Sequence, residues 1–412
     1  MAISENDTTL CYLPLSHIFD RTSCALLAIY HGATIAYADK LETLLDDLRK
    51  YNPTWMNCVP RIYEKIYLRL KAILDQRPFR RRIVLWAMKI DREVFEYRKD
   101  ANGCYNMHRD FKVRSKLGLL LRWKFRFARG VLIRIKLLFG SRLRYAFSGT
   151  APIPAELVKF FHAVGVRVVE GYGLTESFGG CIVNPITACK PGYIGINACG
   201  GQSRISADGE LEIKGAGVFK EYLKDSEWTE ELFTDDGWFK TGDLADVDEH
   251  GYYRILDRKK SIICTDTGKN ISPFKIVELF SSSDYIDQVL VIGDGRSYIT
   301  ALIVPKFNYF IDIFERESVR YKKDLIVWDD EGEFRTCVKV GDDFTLNFRL
   351  QDLIKGEVDK VNTELEVYEK IKQYTILTEK FTQQNGLLSS SQKVKKKEII
   401  EKYLYVIDKM YM

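Results

Sequence analysis

Within six residues, Gly171-Tyr172-Gly173-Leu174-Thr175-Glu176 collects backbone freedom, an aromatic face, a hydroxyl and a carboxylate. Gly171 and Gly173 allow a ligand to approach the backbone closely, and the ring of Tyr172 offers a face for stacking. Thr175 can donate to a phosphate oxygen, and Glu176 can hold a divalent cation. Placed on one tight turn after an apolar run, this set has the makings of a nucleotide pocket. Ordinary turn chemistry explains such a hexapeptide taken alone. Its neighbours change that reading: SGTAPIP (148–154) precedes it, and WFKTGD (238–243), LDRKK (256–260) and KVKKK (393–397) follow in order. Four spaced segments of this kind rarely coincide by chance.

The elements that must position these residues alternate helix with strand. From Leu41 to Lys50 leucines recur at helical spacing, Asn52-Pro53 stops them, 55–59 reads as strand, and Pro60 opens another helix. The pattern recurs where Pro154 takes a first helical position, Leu157, Phe160, Phe161 and Val164 form one apolar face, and Gly165 can cap the end. A short buried strand over 166–169 then delivers the hexapeptide to a strand's carboxyl edge, where open α/β sheets bind ligands. From Tyr193 the texture changes: GELEIKG (209–215) and DEHGYYRIL (248–256) alternate about glycine turns, as in a small β-rich subdomain. Beyond Lys260, residues 287–305 predict two strands about a Gly-Asp-Gly turn, followed by helices around 351–371 and 396–410. The stretch 306–347 yields no assignment.

With 412 residues, 46% of them hydrophobic, the chain can bury the cores of two or three domains. A net charge of +5 is too mild to argue for nucleic acid, and no reader module is present. The nine cysteines lack CxxC spacing and secretory context, so they read as reduced, mostly buried thiols in a cytoplasmic compartment, without a zinc site. No apolar run is long enough to span a bilayer, and the segment from Met1 to Thr9 has no signal-peptide pattern.

From residue 10 almost to the C-terminus, the ordered motifs closely resemble the adenylate-forming enzymes and, within them, the long-chain fatty acid–CoA ligases, which are AMP-forming. LPLSHIFDRT (13–22), NPTWMNCVPRIYEKIY (52–67), TGKNISP (267–273) and NTELEVYEKIKQYTIL (362–377) fit that branch. The resemblance implies an α/β fold. A partial large domain would occupy 1–192, with a β-rich subdomain over 193–257 and a small α+β C-terminal lid over 258–412. It also implies a Ser/Thr/Gly-rich phosphate loop upstream of LPLSHI, and nothing in residues 1–12 can serve as one. By this comparison roughly the first third of such an enzyme is absent, so the expectation is an N-terminally truncated ligase of little or no activity as it stands.

The family reaction activates a fatty acid with ATP and Mg2+ and then transfers the acyl group to coenzyme A. Carried over by position, Gly149, Thr150 and Ala151 would line the adenine, with Tyr172 stacked on it beside Gly173. Thr175 and Glu176 would serve phosphate and Mg2+, and Asp243 would accept both ribose hydroxyls while Arg258 adds a cationic fork. Lys260 would be the hinge of the lid, although Ser261 stands where the branch has an acidic residue. Lys393 would reach the acyl-phosphate, in a context that departs from the family at Ser389-Ser390-Ser391-Gln392. A solvated basic helix start is the other reading of these lysines. His17 would lie near the acyl and pantetheine path, or be structural.

Residues 109–144 contain one acid, Asp110, and interleave Arg and Lys with apolar side chains. They suit peripheral contact with an anionic membrane surface, or an ordinary amphipathic helix with a solvated basic face. The competing functional classes are a non-catalytic nucleotide-binding, acyl-binding or membrane-associated remnant, and a ligase for another carboxylic acid.

Overall fold

The computed structural model describes residues 3–39, 43–75, 77–108, 111–281, 283–329, 335–389 and 393–412. Of the sequence-derived features, Met1, Leu41, Arg109, Asp110, Ser390, Ser391 and Gln392 lie outside the described residues. The chain forms two compact units, Met1–Ile255 and Leu256–Met412.

The first unit is built on a seven-stranded sheet: β1 (Thr8–Cys11), β2 (Thr34–Tyr37), β3 (Trp55–Cys58), β4 (Tyr145–Ser148), β5 (Arg167–Leu174), β6 (Gly179–Val183) and β7 (Ile196–Asn197), in the order β2-β1-β3-β4-β5-β6-β7. The first five run parallel, while β6 is antiparallel to both its neighbours. Strands covered on both faces read as continuous apolar runs, and β3 is buried throughout. The helix Ala155–Ala163 buries Leu157, Val158, Phe160 and Phe161, and Phe161 meets the rings of Tyr63 and Phe139 edge-on. Gly165 stops it at φ +90°, its N–H donating to the His162 carbonyl. Pro154 precedes this helix as its cap instead of opening it. Helices Pro78–Glu96 and Leu119–Lys136 contribute Ala87, Ile90 and Val94 and Phe125, Ala128 and Leu132 to the same core, each set at the three-to-four spacing of one helix face.

Strands β8 (Gln202–Ile205), β9 (Glu210–Lys214), β10 (Phe239–Val247) and β11 (Tyr253–Arg258) make a second sheet in the order β11-β10-β9-β8, and the division between units falls inside β11. Leu211, Ile213, Phe239 and Ala245 form its core with Ile182 of β6.

The hexapeptide is not wholly a turn, as its glycines suggested. Gly171 to Leu174 complete β5, and only Thr175–Ser177 leave it as one 3-10 turn. Glycine at 173 permits a pairing with β6 so tight that a Cβ would lie 1.7 Å from the Gly179 carbonyl oxygen.

In the second unit, Ile299–Pro305 lies between antiparallel Ile286–Ile292 and parallel Ile371–Ile376. The unassigned stretch holds helix Phe307–Arg316, whose Phe307, Phe310 and Phe314 are fully buried, and a hairpin of Val327–Asp329 with Thr336–Lys339. The helix expected around 351–371 is Phe348–Thr363, and the last one is two, Lys396–Lys402 and Leu404–Lys409, interrupted at Tyr403. No described helix is long and apolar enough to cross a membrane.

Candidate functional site

Parallel pairing of β1, β3, β4 and β5 sends the segments that follow them to one edge of the sheet. Residues 13–22 follow β1, and Gly149, Thr150 and Ala151 follow β4. Ser148 pairs with Glu170, so the end of β5 runs beside that loop. Phe19 lies against Gly149, where a Cβ would come within 3.1 Å of its ring, and Thr22 lies against Gly179, where a Cβ would stand 2.7 Å from its hydroxyl. Thus 13–22 packs on the loop after β4 and on β6, the strand that pairs with the hexapeptide. Within it His17 is half-buried, and its Nδ1 accepts the Phe19 N–H at 3.2 Å, capping a short helix. Thr150 adopts φ +73°, a region β-branched residues rarely enter.

Buried Asp20 anchors the same segment. Its carboxylate accepts from the Leu13 N–H at 3.0 Å and from Asn57 Nδ2 at 2.6 Å, and burial pushes its pKa up. Sequence reading overlooked it, because a lone Asp inside an apolar motif gives no local sign of burial.

Two hydrogen bonds define the centre of the site. The Tyr172 hydroxyl donates to Asp243 Oδ2 at 2.6 Å, joining β5 to β10 across 71 residues of sequence. Asp243 is buried, at 3% exposure, and burial together with this carboxylate raises the Tyr172 pKa well above its usual value. Neighbouring bonds hold the turn: Gly242 N–H to Glu210 Oε1 at 2.8 Å, Thr241 Oγ1 to the Leu211 carbonyl at 2.7 Å, and Asp243 N–H to Thr241 Oγ1 at 3.1 Å. The second bond runs from the Tyr222 hydroxyl to Glu176 Oε1 at 2.5 Å, and the Phe219 N–H adds 2.7 Å to the Glu176 carbonyl. Burial and the adjacent carboxylate push the Tyr222 pKa up. Sequence reading overlooked Tyr222, because a lone tyrosine gives no local sign of a carboxylate 46 residues away in sequence. Thr175 is exposed.

Arg258, Lys260 and Lys393 stand in the second unit, all exposed. Arg258 ends β11 with its N–H on Asp257 Oδ1 at 2.7 Å, and Lys260 sits in the turn Lys259–Ser261. Lys393 exchanges two hydrogen bonds with Ser389, its N–H to the hydroxyl at 3.0 Å and its carbonyl from the Ser389 N–H at 2.9 Å.

The first-unit residues fit an adenosine phosphate on two grounds. Ser148 Oγ, at the mouth of β4, is buried with no hydrogen-bond partner among the described residues, a vacancy that a polar ligand would fill. Asp243 is a buried carboxylate whose position two sheets fix. Glu176 offers the one or two carboxylate oxygens with which Mg2+ is usually held alongside substrate phosphates and water.

Glu170, one residue before the hexapeptide, is fully buried, and its carboxylate accepts the Gly192 N–H at 3.2 Å. Burial raises its pKa from 4.5 to about 8. The folded chain therefore binds more protons than the unfolded one between these values, so this group's contribution to stability is complete below pH 4.5 and lost as pH rises toward 8. The loss is on the order of 4 kcal/mol. Glu170→Gln keeps an acceptor for Gly192 and should show a flatter pH dependence, with a higher guanidinium midpoint than wild type at pH near 8. Parallel wild-type and variant curves from pH 5 to 8.5 would contradict the assignment.

Residues 1–223 match the AMP-binding enzyme family, and residues 260–323 match the AMP-binding enzyme C-terminal domain. The chain is 32% identical to the long-chain-fatty-acid–CoA ligase FadD15 of Mycobacterium bovis, covering 99% of this chain and 63% of that protein. It is 28% identical to long-chain-fatty-acid–CoA ligase 5 of Mus musculus, covering 99% of this chain and 56% of the relative. The chain thus spans less than two thirds of these relatives. Among solved structures, the adenylation domain of a carboxylate reductase from Mycobacterium chelonae superposes with TM-score 0.67 at 21% identity, covering 98% of this chain and 54% of the other. The corresponding domain from Segniliparus rugosus, solved with AMP and a co-purified carboxylic acid, gives 0.64 at 22% identity over 98% and 54%. The match over more than half its length establishes that the chain belongs to the AMP-binding enzymes, the adenylate-forming superfamily.

Proposed function

We propose that this chain carries the adenosine site and the catalytic lid of an AMP-forming ligase that activates long-chain fatty acids to acyl-CoA. The observation that carries the reading is the Tyr172–Asp243 bond, which sets a buried carboxylate beside the hexapeptide. In the first half-reaction a carboxylate oxygen attacks the α-phosphorus of ATP and pyrophosphate leaves. In the second the thiolate of coenzyme A attacks the acyl carbonyl and AMP leaves. Asp243 accepts the ribose hydroxyls, Gly149, Thr150 and Ala151 line the adenine, and the ring of Tyr172 offers it a face. Thr175 donates to a phosphate oxygen, and Glu176 holds Mg2+, which when bound neutralises phosphate charge. On this reading 258–412 is the lid, with Arg258 beside the nucleotide and Lys260 as hinge. Lys393 brings its ammonium to the charge building on the α-phosphoryl group. His17 lies along the acyl and pantetheine path.

The long-chain assignment rests on relatives about 30% identical, so the test uses a range of acids. The 412-residue chain should bind AMP in calorimetry. The 412 residues by themselves should form little or no thioester from palmitate, ATP and coenzyme A, since nothing in residues 1–12 can serve as a phosphate loop and each backbone donor to phosphate is worth on the order of a hundredfold in rate. A longer form carrying a Thr/Gly-rich loop and lysine should turn over palmitate faster than octanoate or benzoate. Failure to bind AMP would sink the nucleotide site, and faster turnover of a short or aromatic acid would sink the long-chain assignment. We also place peripheral membrane contact on helix Leu119–Lys136, whose Leu119, Leu120, Trp123 and Phe127 are each more than half exposed. A blue shift of Trp123 emission on acidic vesicles checks this.

A further inference from the structure

At the opposite, amino edge of the sheet lies a cavity of about 760 Å³ that the nucleotide chemistry does not use. Among the described residues lining it are seven Arg and Lys side chains and one carboxylate, Asp91. Helix Leu119–Lys136 supplies Arg122, Arg129 and Lys136, seven residues apart and therefore on one stripe of the helix. Arg98 follows helix Pro78–Glu96, and Arg167 opens β5. A second recess of about 750 Å³ shares Arg129, Lys136 and Arg167 and reaches Thr54 and Arg144, the residues just before β3 and β4. The cations thus gather where parallel strands begin, across the sheet from the edge where Tyr172 stands.

Of these cations, Arg98, Arg122 and Arg129 give few of their donors to described protein acceptors. Arg129 meets Asp91 at 3.5 Å and gives a hydrogen bond to the Ala163 carbonyl at 3.3 Å; Arg98 and Arg122 each donate to one carbonyl, of Asn106 at 2.9 Å and Leu117 at 3.2 Å. A guanidinium has five N–H donors, so each retains several. Burial and the neighbouring Arg167 weaken the hold of Arg98 on its proton, the mark of crowded like charges.

His162 points to the ligand independently. It lines the cavity at 6% exposure, and its Nε2 lies 3.0 Å from the Val168 carbonyl, so that nitrogen carries the hydrogen and Nδ1 presents a lone pair. Nδ1 is buried without a hydrogen-bond partner among the described residues. Burial and the cations Arg167 and Arg98 lower its pKa to about 4, which keeps the ring a neutral acceptor. Cations around an orphaned acceptor suit a ligand that carries both phosphate and hydroxyl groups, and the volume lies in the range of small-molecule sites.

We propose that this amino-edge cavity is a second ligand site, separate from the nucleotide edge, for a hydroxylated phosphate ester bearing two or more negative charges. A free sugar phosphate and a phosphorylated lipid headgroup share this chemistry. The test titrates the whole chain with fructose 1,6-bisphosphate in the presence of saturating AMP, and separately with phosphatidylcholine vesicles with and without phosphatidylinositol phosphate. Expected is one site per chain that AMP does not displace and that weakens with salt. Arg122→Glu with Lys112→Glu, both exposed side chains, should weaken it at least about tenfold, whereas Lys355→Glu in the second unit leaves it unchanged. Binding to the phosphoinositide vesicles with the same response to the double variant, but not to the bisphosphate, would assign the lipid source. Absence of binding in both arms, displacement by AMP, or indifference to the double variant would overturn the proposal.

Discussion

Gly173→Ala is expected to unfold the first unit at a temperature well below wild type, with a loss of about 3 kcal/mol or more. The new Cβ would stand 1.7 Å from the Gly179 carbonyl oxygen, 2.3 Å from its carbon and 2.8 Å from the Gly180 nitrogen. All three are backbone atoms, so no side chain can rotate away, and β5 must part from β6. Gly171→Ala is the internal control: its nearest neighbour would be the Ile182 carbonyl oxygen at 3.5 Å, an ordinary contact. Five of the six tryptophans lie in the first unit, so intrinsic fluorescence reports its melting. Equal melting of the two variants would show that the close approach is wrong.

Asp243→Ala should weaken AMP binding about a hundredfold, the scale of two charge-assisted hydrogen bonds to the ribose. It also strands the half-buried Tyr172 hydroxyl, whose 2.6 Å bond it removes. Asp243→Asn keeps one acceptor and should recover part of the loss, while Tyr172→Phe should cost about fivefold. Because these side chains touch, the double variant Tyr172→Phe with Asp243→Ala should lose less than the sum of the single effects. Calorimetry with AMP reads all four proteins. Additive losses would mean that the hydroxyl does not position the carboxylate, and unaltered affinity in Asp243→Ala would remove it from the site.

Much of this was legible because periodicity and punctuation carry local structure. The helix Ala155–Ala163 showed itself through Leu157, Phe160 and Phe161, and Gly165 marked its end. The antiparallel pair Ile286–Ile292 and Ile299–Pro305 was plain from β-branched runs about a Gly-Asp-Gly turn. Glycine misled at Gly171 and Gly173, since a residue that favours turns also permits strands to crowd, and only the partner strand decides between these. Phe307, Phe310, Ile311 and Phe314 repeat at helical spacing, yet 306–347 yielded no assignment, because the polar residues after them obscure the pattern.

The site was legible as motifs but not as contacts. Tyr172 and Asp243 could each be singled out, yet nothing local relates residues 71 apart whose bond depends on how two sheets meet. Tyr222 and Asp20 escaped for a similar reason, as burial and pairing belong to the tertiary fold. The amino-edge cations were visible as a basic stretch, but Arg98, His162 and Arg167 joined them only through the sheet.

The left-handed backbone at Thr150 has an evolutionary corollary. A threonine there sacrifices about 1–3 kcal/mol that glycine would not. Selection for heat tolerance alone would therefore drift toward glycine at this position, trading the fixed loop after β4 for a hardier but laxer one.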